Sequence, residues 1–515
     1  MFSIRIPYSV CGIGLARIMF RQASSMADVP LVRNKAFVNG AWVSAASGKT
    51  FDVKNPANGE VISTVPDMDA SDTEKAIQAA AEAFESWQYT TAKERAEHLR
   101  KWYNLLMQNQ NDLASIVTAE AGKPLKEALG EVSYGNSFIE WFAEEARRST
   151  GEVIASPTNT KEMLLIKQPI GVAGLITPWN FPIAMITRKA GAAIAAGCTC
   201  VVKPAEDTPL TALALAQLAE DAGIPKGVFN VITSDRGHAA ELSDMILIYG
   251  ETVLSSERAL RMYRERFAMR RQPGSTNVGK LLYKQCASGV KRISLELGGN
   301  APFIVFDSAD IDKAVAGAIA SKFRNCGQTC VSANRLFIQE GVYDTFIHKL
   351  QDRMKAMKMG NGMDPLNELG PLINKQQTEK KGAKVQLGGK PATELGEWFY
   401  EPTLLTNVAE SMTCYNEEIF GPVAVCIKFK TEEEVLRISN STKTGLAGYF
   451  YSGDISQIFR VAKRLAVGMV GVNEGIISTA EAAFGGIKES GLGREGSHHG
   501  MEEFTYTKYI CIGNL

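Results

Sequence analysis

Between residues 169 and 232 the chain alternates strand-like and helix-like runs in a regular rhythm. Gly171-Val-Ala-Gly-Leu-Ile176 reads as a strand, residues 182–196 as a helix, and Thr199-Cys-Val-Val202 as a strand. Residues 208–222 read as a second helix and Val228-Phe-Asn-Val-Ile232 as a third strand. Strands joined through helices lie parallel, so this βαβαβ run predicts a parallel sheet of nucleotide-binding type. A second alternating block runs from about 301 to 473. At 515 residues the chain is too long for one core, and two α/β domains are the simplest division.

The flanking segments have other characters. Residues 37–43 read as a hairpin with Asn39-Gly40 at the turn. Residues 69–87 read as a helix capped by Ser71 or Asp72, and residues 92–120 and 124–149 as further helices. Residues 151–168 carry turn residues between apolar ends, as in a long exposed hairpin. That ribbon, with a C-terminal strand over 505–512, offers a surface for pairing in a homo-oligomer. The first 27 residues contain Arg5, Arg17 and Arg21, interspersed serines and no acid before Asp28. That composition predicts a mitochondrial presequence removed near residues 21–26, the alternative being a frayed basic terminus.

Composition excludes several classes. The 56 basic and 56 acidic residues balance, so no basic face for nucleic acid is signalled. The apolar run 191–202 is too short for a membrane span and reads as buried core. Nine cysteines without a CxxC pair, and five histidines without HExxH, predict neither a disulfide framework nor a metal site. A reducing compartment fits such cysteines better.

Candidate chemistry concentrates in a few stretches. Residues 323–334 pack two thiols, an arginine, amides and a glycine between a small-residue helical run and the strand-like residues 335–339. A Cys on such a turn can face a substrate, while the commoner fate of Cys is structural burial. Glu296 stands between apolar neighbours, where burial would raise its pKa toward a general base; the alternative is a solvent-facing strand edge. Asn180 follows a strand and could donate to an oxyanion, or merely belong to a Pro-rich turn. Lys203 and Glu206 also follow a strand, where parallel sheets bind ligands; a solvated charge pair is the alternative. Gly491-Leu-Gly-Arg-Glu-Gly496 matches GxGxxG, but too little chain follows for a βαβ unit. Gly274-Ser-Thr-Asn-Val-Gly-Lys280 approaches a P-loop but continues with Leu281, leaving a helix cap whose amides could hold a pyrophosphate.

Seven motifs then occur in order: Pro178-Trp-Asn-Phe-Pro182, Val202-Lys-Pro-Ala-Glu206, Gly274-Ser-Thr276, Leu295-Glu-Leu-Gly-Gly299, Gly327-Gln-Thr-Cys330, Glu417-Glu-Ile-Phe-Gly-Pro422 and Phe484-Gly-Gly-Ile-Lys-Glu-Ser-Gly491. Together they resemble the aldehyde dehydrogenase superfamily over residues 31–515, closest to its mitochondrial branch acting on succinate semialdehyde. The resemblance implies a Rossmann-type NAD-binding domain, an α/β catalytic domain and a small β oligomerisation ribbon. It implies Cys330 as nucleophile, Asn180 with the Cys330 N–H as oxyanion donors, and Glu296 as the base that activates water. For NAD it implies Lys203 and Glu206 at the adenosine ribose, Gly274 and Ser275 at the pyrophosphate, and Glu418 at the nicotinamide ribose, with Trp179 and Phe420 nearby. It implies Arg188, Arg324 and Ser478 as holders of an acidic aldehyde's distal carboxylate, with structural ion pairs as the alternative for the arginines. The implied division is 1–27 presequence, 31–148 and 170–294 NAD-binding, 149–169 and 489–515 oligomerisation, and 295–488 catalytic, with the mitochondrial matrix as location.

Three departures stand out. Ser332 replaces a second Cys that relatives often carry, so that redox disulfide cannot form. Residues 243–273, with an arginine-rich run and Pro273, read as a foreign insert in place of a helix end and a central strand, with 245–249 as a possible substitute strand. Residues 372–382 read as lacking a helix of about ten residues or more. The alternatives are therefore an enzyme for another acidic semialdehyde such as glutarate semialdehyde, or an inactive isoform with a damaged cofactor sheet.

Overall fold

The alternation resolves into two sheets in the computed structural model, which describes residues 26–238, 252–256, 276–287, 291–373 and 383–513. The first sheet has eight strands, in the order Ala41–Val43, Ala36–Val38, Phe229–Val231, Thr199–Lys203, Val172–Ile176, Thr252–Ser256, Arg292–Glu296 and Gly491–Leu492. The pairings from Phe229–Val231 through to Arg292–Glu296 are parallel. From Val172–Ile176 the chain steps outward on one side through Thr199–Lys203 and Phe229–Val231. It then returns to the other side with Thr252–Ser256 and Arg292–Glu296. That reversal is a topological switch point, and it opens a crevice at the carboxyl ends of the strands.

Helices cover the sheet because their apolar faces are nearly continuous. All of Ala184–Ala196 is buried, Arg188 and Lys189 included. Its small residues let the helix Leu125–Glu145 lie close: a Cβ on Gly135 would stand 2.4 Å from Ile183 Cγ2. The second sheet runs Lys384–Leu387, Thr403–Thr406, Val423–Phe429, Ala333–Gln339, Ala301–Val305, Ala447–Tyr451, Met469–Val472, and only its first pairing is antiparallel. A separate three-stranded antiparallel sheet joins Glu152–Ile154, Lys161–Pro169 and Thr505–Gly513.

Local expectations are mostly met. Asn39 (φ 53°) and Gly40 (φ 69°) are both left-handed, as a two-residue hairpin turn demands. The first long helix, Ala70–Trp87, is capped by Asp69 rather than by Ser71 or Asp72. The Asp69 carboxylate accepts from Ser71 N at 2.9 Å and from Asp72 N at 3.2 Å, so those two residues already lie in the first turn. The helix expected over 92–120 is two, Ala92–Gln108 and Gln110–Ala121, joined at Asn109.

The expectation that 243–273 supplies no central strand is corrected. Thr252–Ser256 pairs in parallel with both Val172–Ile176 and Arg292–Glu296. The β-branched Thr252 and Val253 suit that position, and the arginines that argued against a strand come later, from Arg258 onward. The substitute strand proposed at 245–249, the presequence through residue 25, Gly274 and Ser275, and most of the shortened 372–382 stretch lie outside the described residues.

Candidate active site

The loop that carries the candidate nucleophile Cys330 is shaped by its backbone. The helix Ile311–Phe323 ends at Arg324, after which Asn325 (φ 51°), Cys326 (φ 55°) and Gly327 (φ 73°) all take left-handed conformations. Asn tolerates that region and Gly prefers it. At Gly327 no other residue fits, because a Cβ would stand 2.2 Å from Gly421 O. Gln328 staples the loop: Nε2 donates to Asn325 O (3.2 Å) and Oε1 accepts from Ile373 N (3.0 Å). The chain leaves the turn into the strand Ala333–Gln339 with Cys330 half-buried. Cys326 is buried, which pushes its thiol up to about 12. Of the two thiols, Cys330 is the accessible one.

Asn180 meets this loop from the turn that follows Val172–Ile176. Its Nδ2 donates to Gln328 O at 3.1 Å, and Asn325 Nδ2 donates back to Asn180 O at 2.9 Å. Lys123 Nζ donates to the same Asn180 oxygen (2.8 Å) and pairs with Glu131, both side chains being buried. Glu131 Oε1 in turn accepts from Ile183 N at 2.9 Å. The Asn180 turn is therefore a pinned element rather than a loose Pro-rich loop.

Glu296 ends its strand buried, not facing solvent, and neither carboxylate oxygen has a hydrogen-bond partner. Burial, and then the neighbouring Glu495, push its pKa well above the usual carboxylate range, while Arg188, Lys189 and Arg494 pull it down. Gly485 (φ 157°) passes so close that a Cβ there would lie 2.9 Å from Glu296 Oε1.

The structural ion pair that the sequence left open for Arg188 is present. Arg188 pairs with buried Glu495, and Lys189 Nζ meets the same carboxylate at 2.7 Å. Arg188 also stacks on Phe484 at 4.5 Å, and its Nη2 keeps no hydrogen-bond partner. Burial opposes its charge, but Glu495, Tyr134, Glu296 and Cys330 outweigh that and hold its pKa above the usual arginine value. One guanidinium thus adjoins the thiol, the carboxyl and a tyrosine. Arg324 makes no salt bridge among the described residues; it lies over the Phe181 ring at 5.0 Å and lines a cavity with Thr329, Val331, Tyr449 and Ser478.

The cofactor candidates gather at the switch point. Lys203 ends its strand fully buried, not solvated, with one hydrogen bond from Nζ to Pro204 O at 3.3 Å. Burial lowers its pKa to about 8 against the pull of Glu206. Glu206 pairs instead with Arg236 at 2.7 Å. Trp179 and Phe420 meet edge to face, with centroids 6.0 Å apart, in a cluster with Ala205 and Ile373. Glu418 Oε1 accepts from Gly299 N at 3.4 Å. A buried ammonium holding a single long bond has donors left for sugar hydroxyls. With the aromatic pair beside it, this donor set fits a dinucleotide.

Glu495, Lys123, Glu131 and Tyr134 are absent from the sequence-derived site. Glu495 lies inside the rejected glycine motif 491–496. Its signal was the pair Arg188-Lys189 in an otherwise apolar helix, since two buried cations require an acid.

The sequence profile of the Aldehyde dehydrogenase family matches residues 42–248 and 261–510, leaving out 249–260, where Thr252–Ser256 lies. The chain is 53% identical over 496 residues to the mitochondrial succinate-semialdehyde dehydrogenase of Homo sapiens, covering 94% of this chain and 89% of that one. It is 51% identical over 499 residues to a glutarate-semialdehyde dehydrogenase of Pseudomonas aeruginosa (95% and 99% covered). It is 51% identical over 497 residues to an Escherichia coli succinate-semialdehyde dehydrogenase named for NADP(+) (94% and 99%). Among solved structures, a succinate-semialdehyde dehydrogenase from Burkholderia pseudomallei superposes with a TM-score of 0.89 at 48% identity (95% and 100%). A betaine aldehyde dehydrogenase from Staphylococcus aureus in complex with NAD+ gives 0.88 at 35% (95% and 96%).

Proposed function

The chain belongs to the aldehyde dehydrogenase family, and from that premise we propose that it oxidises succinate semialdehyde to succinate with NAD in the mitochondrial matrix. The observation that carries this reading is the neighbourhood of Arg188, whose charge adjoins Cys330, Glu296 and Tyr134. A thiol, a carboxyl and a cation within electrostatic reach of one another support that reading.

The Cys330 thiolate adds to the aldehyde carbon, and the oxyanion takes hydrogen bonds from the Asn180 amide and the Cys330 backbone N–H. One Asn180 N–H is held by Gln328 O, which orients the other. A nicotinamide held by these residues would supply the hydride acceptor for the substrate carbon. A thioester remains on Cys330, and Glu296 takes a proton from the water that attacks it. The carbon leaves as a carboxylate and the thiolate is restored. Arg324, lining the cavity with Ser478, meets the distal carboxylate with a forked guanidinium, and the Arg188 Nη2, without a hydrogen-bond partner among the described residues, is a donor still available to the same group. Gly274 and Ser275 complete the pyrophosphate site, Lys203 and Glu206 the adenosine ribose site, and Glu418 the nicotinamide ribose site. Residues 31–148 and 170–294 act as the NAD-binding part, 295–488 as the catalytic part, and 149–169 with 489–515 as the oligomer contact.

The test is NADH formation from succinate semialdehyde by the purified chain and its loss in Cys330→Ser; turnover that survives the substitution overturns the mechanism. The Pseudomonas relative motivates a second reading, glutarate semialdehyde as substrate. Comparing kcat/KM for the two chain lengths separates them. Glu206 favours NAD because a carboxylate accepts from ribose hydroxyls and repels a 2′-phosphate. Equilibrium titration with NAD and NADP tests that preference, and also whether the segment 243–273 leaves the cofactor sheet competent.

A further inference from the structure

We propose that Tyr134 is a specificity-determining residue, its hydroxyl serving as an additional donor to the substrate's distal carboxylate beside Arg188, Arg324 and Ser478. This rests on the acidic-aldehyde reading above and names a residue of that same pocket. Tyr134 lies on the helix Leu125–Glu145, one residue before Gly135. The missing Cβ of Gly135 lets that helix sit against Ile183 and Ala184, where an added Cβ would be 2.4 Å from Ile183 Cγ2 and 3.1 Å from Ala184 N. The ring packs edge-on against Phe138, with centroids 5.1 Å apart, and against the cluster of Phe181, Ala184 and Met185. Those contacts fix the aromatic body and leave only the hydroxyl for chemistry.

That hydroxyl is out of solvent and has no well-formed hydrogen bond. The groups around it are Arg188, Arg324, the Cys330 thiol and the Ser478 side chain. Burial raises its pKa despite the two guanidiniums, so it stays protonated and able to donate. A buried donor near two cations, with Ser478 its nearest hydrogen-bonding neighbour and no well-formed bond among the described residues, is poorly satisfied in the empty protein. A carboxylate entering there would accept from the phenol while pairing with the arginines, and an uncharged tail would leave the phenol orphaned. The discrimination has the logic of sites built to bond a substrate's polar group, which reject analogues lacking it.

The test is Tyr134→Phe, which keeps the ring and its packing. The expected result is that kcat/KM for succinate semialdehyde falls about 10- to 100-fold, the loss of one hydrogen bond to a charged group, mostly through KM. For an uncharged aldehyde of the same chain length it should change less than about twofold, since no such bond is made there. Inhibition by succinate should weaken by the same factor as KM rises. Equal losses on both aldehydes, or no loss on either, overturn the proposal while leaving the acidic-aldehyde reading intact, provided wild type prefers the acidic substrate. If wild type shows no such preference, the carboxylate pocket itself is refuted and the proposal falls with it.

Discussion

Glu296 is the residue on which rate and environment meet. A buried carboxyl with no hydrogen bond on either oxygen favours its neutral form, and Glu495 nearby reinforces this. A base that takes the proton of the attacking water must be ionised, so hydrolysis should weaken as pH falls through the raised Glu296 pKa, well before an ordinary carboxylate would protonate. Acylation should not share that limb. Stopped-flow NADH traces separate the two steps: at low pH a burst remains while the steady rate drops. Glu296→Gln should freeze the enzyme in that burst-only state, with steady turnover about 100- to 10,000-fold lower. A variant without a burst would move Glu296 into the first step. Cys330 and Glu296 could be proposed from the sequence because each sits in a short motif whose chemistry is local. Glu495 was not, because its partners Arg188 and Lys189 lie some 300 residues earlier in the chain and only the fold joins them.

At the scale of elements, the candidate active site is a joint between the turn that follows Val172–Ile176 and the loop that carries Cys330. The Asn180 turn is held to that loop by Asn325 and Gln328, and to the helix Leu125–Glu145 and the residues just before it by Glu131 and Lys123. Lys123 is buried with its ammonium over the Phe181 ring at 4.2 Å, so its charge is tolerable only while Glu131 is present. Lys123→Met should therefore destabilise the fold by about 3–5 kcal/mol by leaving the Glu131 charge unpaired. The double variant Lys123→Met/Glu131→Leu should recover most of that stability in chemical denaturation. It should not recover kcat, because the Asn180 carbonyl then keeps its bond from Asn325 but loses the one from Lys123. Recovery of both would reduce the pair to a structural role. The helices and strands of this joint were legible from apolar rhythm, and Ala184–Ala196 and Thr199–Lys203 fall within two residues of expectation. Thr252–Ser256 was hidden because its neighbours carry the wrong signal. A five-residue strand beside an arginine-rich run yields no periodicity of its own.

At the scale of the whole molecule, the three-stranded sheet lacks a core. Of the strand Thr505–Gly513, only Thr505 is buried, and Tyr506, Tyr509 and Ile512 are all exposed. Glu152–Ile154 has no buried residue and Val153 is exposed on it. Isolated sheets of this size are marginal without a packed face, and unpaired edges invite pairing with another chain. Yet Thr505–Gly513 pairs with Lys161–Pro169 along its whole length, from Thr505 opposite Pro169 to Gly513 opposite Lys161. Its middle strand, Lys161–Pro169, is at most half-buried, and a sheet this regular with so little cover is best explained by a second copy against it, which is the oligomer contact proposed for 149–169 and 489–515. Tyr506→Glu with Ile512→Lys places charge on the exposed strand while touching nothing in either domain core. Light scattering after gel filtration should show the wild-type chain as an oligomer and this variant shifted toward a smaller species. Because the proposed catalytic residues Asn180, Cys330 and Glu296 all come from one chain, the smaller species should keep a measurable burst of NADH and lose thermal stability instead. An unchanged mass would remove the ribbon from the interface, and complete loss of the burst in a folded protomer would mean that the neighbouring copy completes the site.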